Sequence, residues 1–145
     1  VNGVRSVPAD LPPLRFFAEF GKRYNERDTE GLLELFADDW RMVDFREGDW
    51  DGAIGGIEGA RALIESVYAV SPDVRFKIDE VLACDERVIA LRVSYQGRGK
   101  GGLGEFGYLS GYVAVVEHGL WARTSEYEHD DDAAMLARYR ELGGR

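Results

Sequence analysis

The stretch WRMVDFR (40–46) sets a carboxylate and a guanidinium two residues apart. Its alternation predicts a strand from Trp40 to Phe45, so Asp44 and Arg46 fall on one side, with Met42. A strand that feeds a core should not carry them. A lone carboxylate costs several kcal/mol to bury, so Asp44 must either pair or function. Desolvation would raise its pKa and suit it to proton transfer. Arg46, a planar donor fork, suits a substrate carboxylate or phosphate, or the neutralisation of Asp44 or a second acid. That second acid is Glu126, which the alternation of LWARTSEYE (120–128) turns inward together with Thr124.

Other chemistry-bearing residues read as structural. His118 sits in a tight turn and His129 at a strand end, and two distant histidines without a third ligand predict no metal site. Cys84 is the only cysteine, which excludes an internal disulfide and a thiol cage. It ends an apolar run beside Ala83 and Asp85, with nothing cationic adjoining it, and reads as a half-buried inert thiol. GRGKGGLG (97–104) has the glycines of a phosphate loop, but strands on both sides and no following helix make it a hairpin connection. No cofactor is expected.

The elements that must position Asp44 and Glu126 follow from periodicity. Helix 1 spans about 11–26, with Leu14, Phe17, Ala18, Gly21 and Tyr24 at helical spacing, Asp10 as a plausible cap and prolines in the first turn. Asp28 caps a short helix carrying Leu32, Leu33, Leu35 and Phe36. After the strand at 40–45, the glycine-rich and acidic 46–57 reads as a loop. Helix 3 carries Ala60, Leu63, Ile64, Val67 and Tyr68 and stops at Ser71-Pro72. Val74, Phe76 and Ile78, then Ile89, Leu91, Val93 and Tyr95, alternate as paired strands. Strands at 105–117 and 120–129 follow, and DDDAAMLARYREL closes the chain as an acid-capped helix with late basic residues. Helices first and an antiparallel meander afterwards predict one α+β domain over 1–145, with 1–9 irregular.

Composition bounds the function. The chain has 145 residues, 45% apolar and 12% aromatic, enough for one core. Its net charge of −9 argues against nucleic acid and against an anionic membrane surface. No apolar run approaches the roughly 20 residues of a membrane span. No signal peptide is evident, so a cytoplasmic protein is the expectation.

The two faces of the meander are both apolar. Tyr108, Tyr112, Trp121 and Tyr127, with Arg123 among them, are read as one side. Aromatic and arginine enrichment suits a protein–protein patch, so a homodimer through this face is expected, unless the C-terminal helix covers it. The opposite side, small and aliphatic, would curl over helices 1 and 3 as a cone with an apolar lining.

RYNERD, GLLELFADDWRMVDF, a glycine-rich loop, GIEGARALIESVY and a meander closing on EYEHDD together resemble the nuclear transport factor 2-like superfamily over about residues 10–129. Within it the chain is similar to polyketide-cyclase-like and ketosteroid-isomerase-like proteins, and to SnoaL-like domains of actinobacterial proteins. Some of these sit behind a regulatory module, which a start at Val1 would fit. The resemblance implies a cone-shaped antiparallel sheet packed on N-terminal helices, a cystatin-like α+β barrel. Ketosteroid isomerase uses a carboxylate base with a tyrosine and a protonated aspartic acid as oxyanion donors. The resemblance places the base at Asp44, the tyrosine position at Phe20 and the acid position at Gly111, so both donors are replaced and steroid isomerisation by that route is disfavoured. Tyr24, one helical turn after Phe20, either aims its hydroxyl into the same space or merely closes the helical stripe.

The fold hosts many activities, so function must come from the site. The expected lining is Phe17, Phe20, Trp40 and Arg46 from the first half of the chain. From the meander come Leu91, Val93, Leu109, Gly111, Val113 and Thr124. The leading expectation is a homodimeric module binding a small hydrophobic molecule. The alternatives are an isomerase, cyclase or dehydratase using Asp44 with Glu126 or Tyr24, or a purely structural dimeriser.

Overall fold

The structure, a computed structural model, describes residues 10–46, 53–98 and 105–145. Helix α1 (Pro12–Asn25) opens with prolines, whose fixed φ suits a first helical turn. Leu11 stands at its N-cap without a side-chain cap, so Asp10 does not fill the expected role. The buried face of α1 is Pro13, Phe16, Phe17, Phe20 and Tyr24. After it, Arg27 takes a positive φ of 63°, and the Asp28 side chain accepts from the Gly31 N–H at 3.0 Å to start α2 (Thr29–Leu33). Helix α2 is shorter than its apolar run suggests. Phe36 instead begins β1 (Phe36–Asp44), because the chain there pairs with the strand that carries Trp121.

A short β2 (Ala53–Gly55) falls in the stretch expected to be loop, and pairs antiparallel with Arg41–Val43. Helix α3 (Gly56–Val70) follows and ends at Ser71. Strands β3 (Arg75–Cys84), β4 (Val88–Arg98), β5 (Glu105–Glu117) and β6 (Leu120–Tyr127) then form the meander. The turn between β5 and β6 places His118 and Gly119 at φ 55° and 76°, which explains the glycine there. Most of the glycine-rich connection between β4 and β5 lies outside the described residues. The six strands run in the order β2-β1-β6-β5-β4-β3, a curved open sheet in an α+β fold, as expected. One pairing departs from the all-antiparallel expectation: β1 runs parallel to β6. Among the described residues no helix is long and apolar enough to cross a membrane.

The sheet faces are the reverse of the sequence reading. On the concave side, Tyr95, Tyr112, Ala114, Val116 and Trp121 pack with α1 and α3 in the main core. The opposite side buries Val88, Ala90, Val113 and Val115 beneath Met135 and Tyr139 of α4 (Asp132–Glu141). The cause is a bulge. Val115 pairs with Arg123 but Val116 pairs with Trp121, so Ala122 is skipped and the alternation of β6 flips there. Trp121 therefore shares a side with Thr124 and Glu126, while Arg123 and Tyr127 point to the other.

Two polar devices tie α1 and α4 to the sheet. Asn25 Nδ2 donates to the Phe76 carbonyl at 3.2 Å, and the Phe76 N–H donates to Asn25 Oδ1 at 2.7 Å, joining the end of α1 to the start of β3. Arg92 donates to both oxygens of Asp132, at 2.5 and 2.9 Å, and to the His129 carbonyl at 2.7 Å, which seats α4. Asn25→Ala leaves both backbone groups of Phe76 unpaired and should cost about 2–3 kcal/mol of unfolding free energy. Asp28→Ala should cost about 1 kcal/mol. Urea denaturation checks both.

Candidate ligand-binding site

Between the concave sheet and helices α1 and α3 lies a cavity of about 310 Å³. Its walls are apolar: Phe20 from α1, Phe36, Trp40 and Met42 from β1, Ile54 from β2, Ala60, Leu63, Ile64 and Val67 from α3, and Trp121 from β6. Helical spacing delivers the α3 residues and strand alternation delivers those of β1. Trp40 is held by its indole N–H, which donates to the buried Thr124 Oγ1 at 3.1 Å.

The polar part of the wall is Asp44, Arg46, Tyr108 and Glu126, with Tyr24, Tyr95 and Tyr112. Arg46 turns back onto Asp44: its Nε donates to Oδ1 at 3.0 Å, its Nη2 to Oδ2 at 2.7 Å, and its backbone N–H to Oδ1 at 2.9 Å. Its Nη1 lies 3.5 Å from Glu126 Oε2 and its guanidinium stacks on Tyr108 at 5.0 Å. Tyr108 and Ser110 hydroxyls both donate to the same Glu126 oxygen, Oε2, at 2.5 Å. Glu126 and Asp44 are cross-strand partners in β6 and β1, which places both carboxylates beside one guanidinium.

The two acids titrate in opposite directions. Burial pushes Asp44 upward, but the side-chain and backbone hydrogen bonds of Arg46 outweigh it and hold the carboxyl below the usual range. For Glu126, only 2% exposed, burial dominates and raises the carboxyl; Ser110, Tyr108 and Arg46 pull it back in part, and the Asp44 charge adds to the rise. Of the two acids, Glu126 is the one whose burial favours the protonated form, and Asp44 is a paired carboxylate. Burial also raises the phenols of Tyr24, Tyr95, Tyr108 and Tyr112, so they act as neutral donors.

Of the residues singled out from sequence, Asp44, Glu126, Tyr24, Phe20, Trp40 and Arg46 line this cavity. Phe17, Leu91 and Val93 are fully buried in the core without lining it. Thr124 orients Trp40. Leu109, Gly111 and Val113 are corrections: Leu109 is 52% exposed, and Gly111 and Val113 lie on the α4 side. A Cβ on Gly111 would stand 2.5 Å from Met135 Sδ, so close helix packing explains this glycine and it is no vacated acid position. Tyr108, Tyr112 and Trp121, expected in a dimer patch, face the cavity instead. Tyr95, Tyr108, Tyr112 and Ser110 were the donors the sequence reasoning overlooked as site residues. Tyr95 was visible in phase with Leu91 and Val93, but the other three needed the bulge.

Neither histidine lines the cavity; His129 Nε2 lies 2.9 Å from Asp79 Oδ2 on the surface. Burial, then the Asp85 charge, pushes the Cys84 thiol up to about 12, which suits a structural role. Among the described residues, no three His, Cys, Asp or Glu side chains are placed to hold a metal ion.

Comparison with known proteins places this geometry. The structure of RV0760c from Mycobacterium tuberculosis, in complex with estradiol-17beta-hemisuccinate, is 21% identical with a TM-score of 0.69, covering 84% of this chain and 97% of that one. A computationally designed 17-OHP binder is 20% identical, with a TM-score of 0.68 over 84% of this chain and 96% of its own. A protein with a ketosteroid isomerase-like fold from Catenulispora acidiphila, in complex with trimethylamine, is 16% identical with a TM-score of 0.63, over 84% of this chain and 89% of that one. At these identities the likeness is one of fold. No curated protein matches the chain. The SnoaL-like domain family matches residues 15–124, from the aromatic face of α1 to the threonine that holds Trp40, and the chain belongs to that family.

Proposed function

We propose that this SnoaL-like domain binds a small hydrophobic molecule in the concave cavity, with a polar group of the ligand at the Asp44–Arg46–Tyr108–Glu126 cluster. One observation carries the reading: an apolar space of about 310 Å³ with its few polar groups converging on one wall. That is the usual composition of a small-molecule site, at the lower end of the usual size. Structural neighbours that hold estradiol-17beta-hemisuccinate or were designed to bind 17-OHP support a rigid, steroid-like class. The test is thermal unfolding with progesterone. Saturation should raise Tm by several degrees, since ligand at 100-fold over Kd adds about 2.7 kcal/mol. Ala60, 1% exposed on the cavity wall, is the place to fill the space. Ala60→Phe should abolish the shift while the variant still unfolds cooperatively, and an undiminished shift would move the site elsewhere.

A catalytic reading has one specific support, and it favours Glu126 over Asp44. Proton transfer near neutrality needs a carboxyl held above its usual pKa, which the burial of Glu126 supplies and the Arg46 clasp denies to Asp44. The linkage sign follows. A raised folded pKa means the folded state binds the extra proton, so the contribution of Glu126 is present below its unfolded pKa and is lost as pH rises through the folded value. Glu126→Gln should therefore match the parent Tm near pH 4 and exceed it as pH rises toward 8, read by calorimetry across that range. Asp44, held low, behaves oppositely, and Asp44→Asn should be destabilising at pH 7 by a few kcal/mol because it removes the bidentate partner of Arg46.

We also propose that two copies pair through the part of the outer face that α4 leaves uncovered, a revised form of the sequence expectation, whose alternative of cover by the C-terminal helix holds for the rest of that face. Arg123 and Tyr127 remain on that face, joined by Phe45, 50% exposed and stacked on Tyr127 at 5.1 Å, and by Leu109. Exposed aromatics beside arginine suit an interface core. Phe45→Glu combined with Leu109→Glu should shift the sedimentation coefficient from dimer to monomer; a monomeric parent protein would refute the pairing.

A further inference from the structure

Tyr24 lines the cavity from the last turn of α1 and is 2% exposed. Its hydroxyl is the one buried side-chain polar atom without a hydrogen-bond partner among the described residues. A stranded buried hydroxyl is destabilising compared with a paired one, and natural structures keep few of them. Packing gives no reason for the oxygen. The rings of Phe20, Tyr68, Phe76 and Tyr95 surround the Tyr24 ring at centroid distances from 5.0 to 6.2 Å, contacts that a phenylalanine would make equally well. The Tyr68 hydroxyl donates to the Tyr24 backbone carbonyl at 2.7 Å, a bond that does not involve the phenol either.

Beside Tyr24 stands a hydroxyl pair, Tyr95 and Tyr112, 2.7 Å apart and also on the cavity wall. Three hydroxyls carry three protons, and the Tyr95–Tyr112 bond uses one of them. Two O–H donors are left for an acceptor. Burial raises all three phenols, so each remains protonated at ordinary pH. Glu126 shares the cavity wall with Tyr95 and Tyr112 and, when ionised, raises both phenols further, so an anion at the same spot is disfavoured and a neutral oxygen is left.

We infer that Tyr24, with the Tyr95–Tyr112 pair, forms an acceptor subsite that takes a neutral carbonyl or hydroxyl oxygen of the cavity ligand. The inference rests on the ligand-binding reading and narrows it: the ligand is an oxygenated apolar molecule, and a pure hydrocarbon of the same shape is a poorer fit. Specificity of this kind arises because a site built to hydrogen-bond an oxygen leaves its donors unpaired when the oxygen is missing.

The test compares two near-isosteric probes, acetylnaphthalene and ethylnaphthalene, by titration against intrinsic tryptophan fluorescence of the whole chain. The parent protein should bind the ketone about 3- to 10-fold more tightly than the hydrocarbon, the range of one net hydrogen bond. Tyr24→Phe should erase that preference, leave hydrocarbon affinity unchanged, and keep or raise the Tm of the free protein. Tyr68→Phe, which removes a hydroxyl from outside the cavity, should keep the preference. Equal affinities in the parent protein, or a ketone preference that survives Tyr24→Phe, would overturn the acceptor subsite and leave the ligand-binding reading standing. Binding of neither probe would overturn both.

Discussion

A guanidinium folded back onto the aspartate two residues before it lets an apolar cavity wall carry two carboxylates. Asp44 and Glu126 are cross-strand neighbours on adjacent strands, and like charges so placed repel and resist burial. Arg46 answers both, with a bidentate grip on one and a charge beside the other. Its planar face also lies on Tyr108, whose hydroxyl donates to Glu126, so a single side chain closes a ring of interactions. Replacement by lysine would keep the charge and lose the fork and the stacking. The division of labour between the acids follows. The one that Arg46 clasps is fixed as an anion, and the one it only approaches stays open to a proton.

That cluster is anchored by a sheet used on both faces. The concave side takes the aromatic residues of β4, β5 and β6 against Phe16, Phe17 and Phe20, and leaves space among them. The other side is sealed by α4, whose Met135 and Tyr139 need the small surface of Gly111 and the aliphatic Val113 and Val115. Polar contacts fix two of the helices: Asn25 on Phe76 for α1, and Arg92 on Asp132 for α4.

Strong periodicity made the elements legible in the amino-acid sequence. The α1 stripe, the Asp28 cap, the α3 stripe and the meander all follow from spacing and caps. That Asp44, Arg46 and Glu126 face one wall also follows, with pairing as one of the readings open for Arg46, since alternation from Trp40 to Asp44 is regular. What was not legible depended on one skipped residue. The bulge at Ala122 brings Thr124 and Glu126 to the side of Tyr112 and Trp121, whereas unbroken alternation assigns the aromatic half of the wall to a dimer surface and the aliphatic half to the lining. Leu109, Gly111 and Val113 were misplaced for that reason. The short β2 was hidden because its pairing with β1 is a long-range gain that no local pattern in glycine-rich sequence announces.

The claim on which the rest depends is that the concave space, and not the outer face, receives an apolar molecule. Methyl NMR during a progesterone titration separates the two directly. Met42, Ile54 and Ile64 line the cavity, whereas Met135 of α4 and Val113 of β5 are buried in the cluster on the opposite face of the sheet. The account predicts progressive, saturable shifts of the Met42, Ile54 and Ile64 methyl signals with Met135 and Val113 unmoved. Shifts confined to Met135 and Val113, or no shifts at saturating steroid, would contradict it.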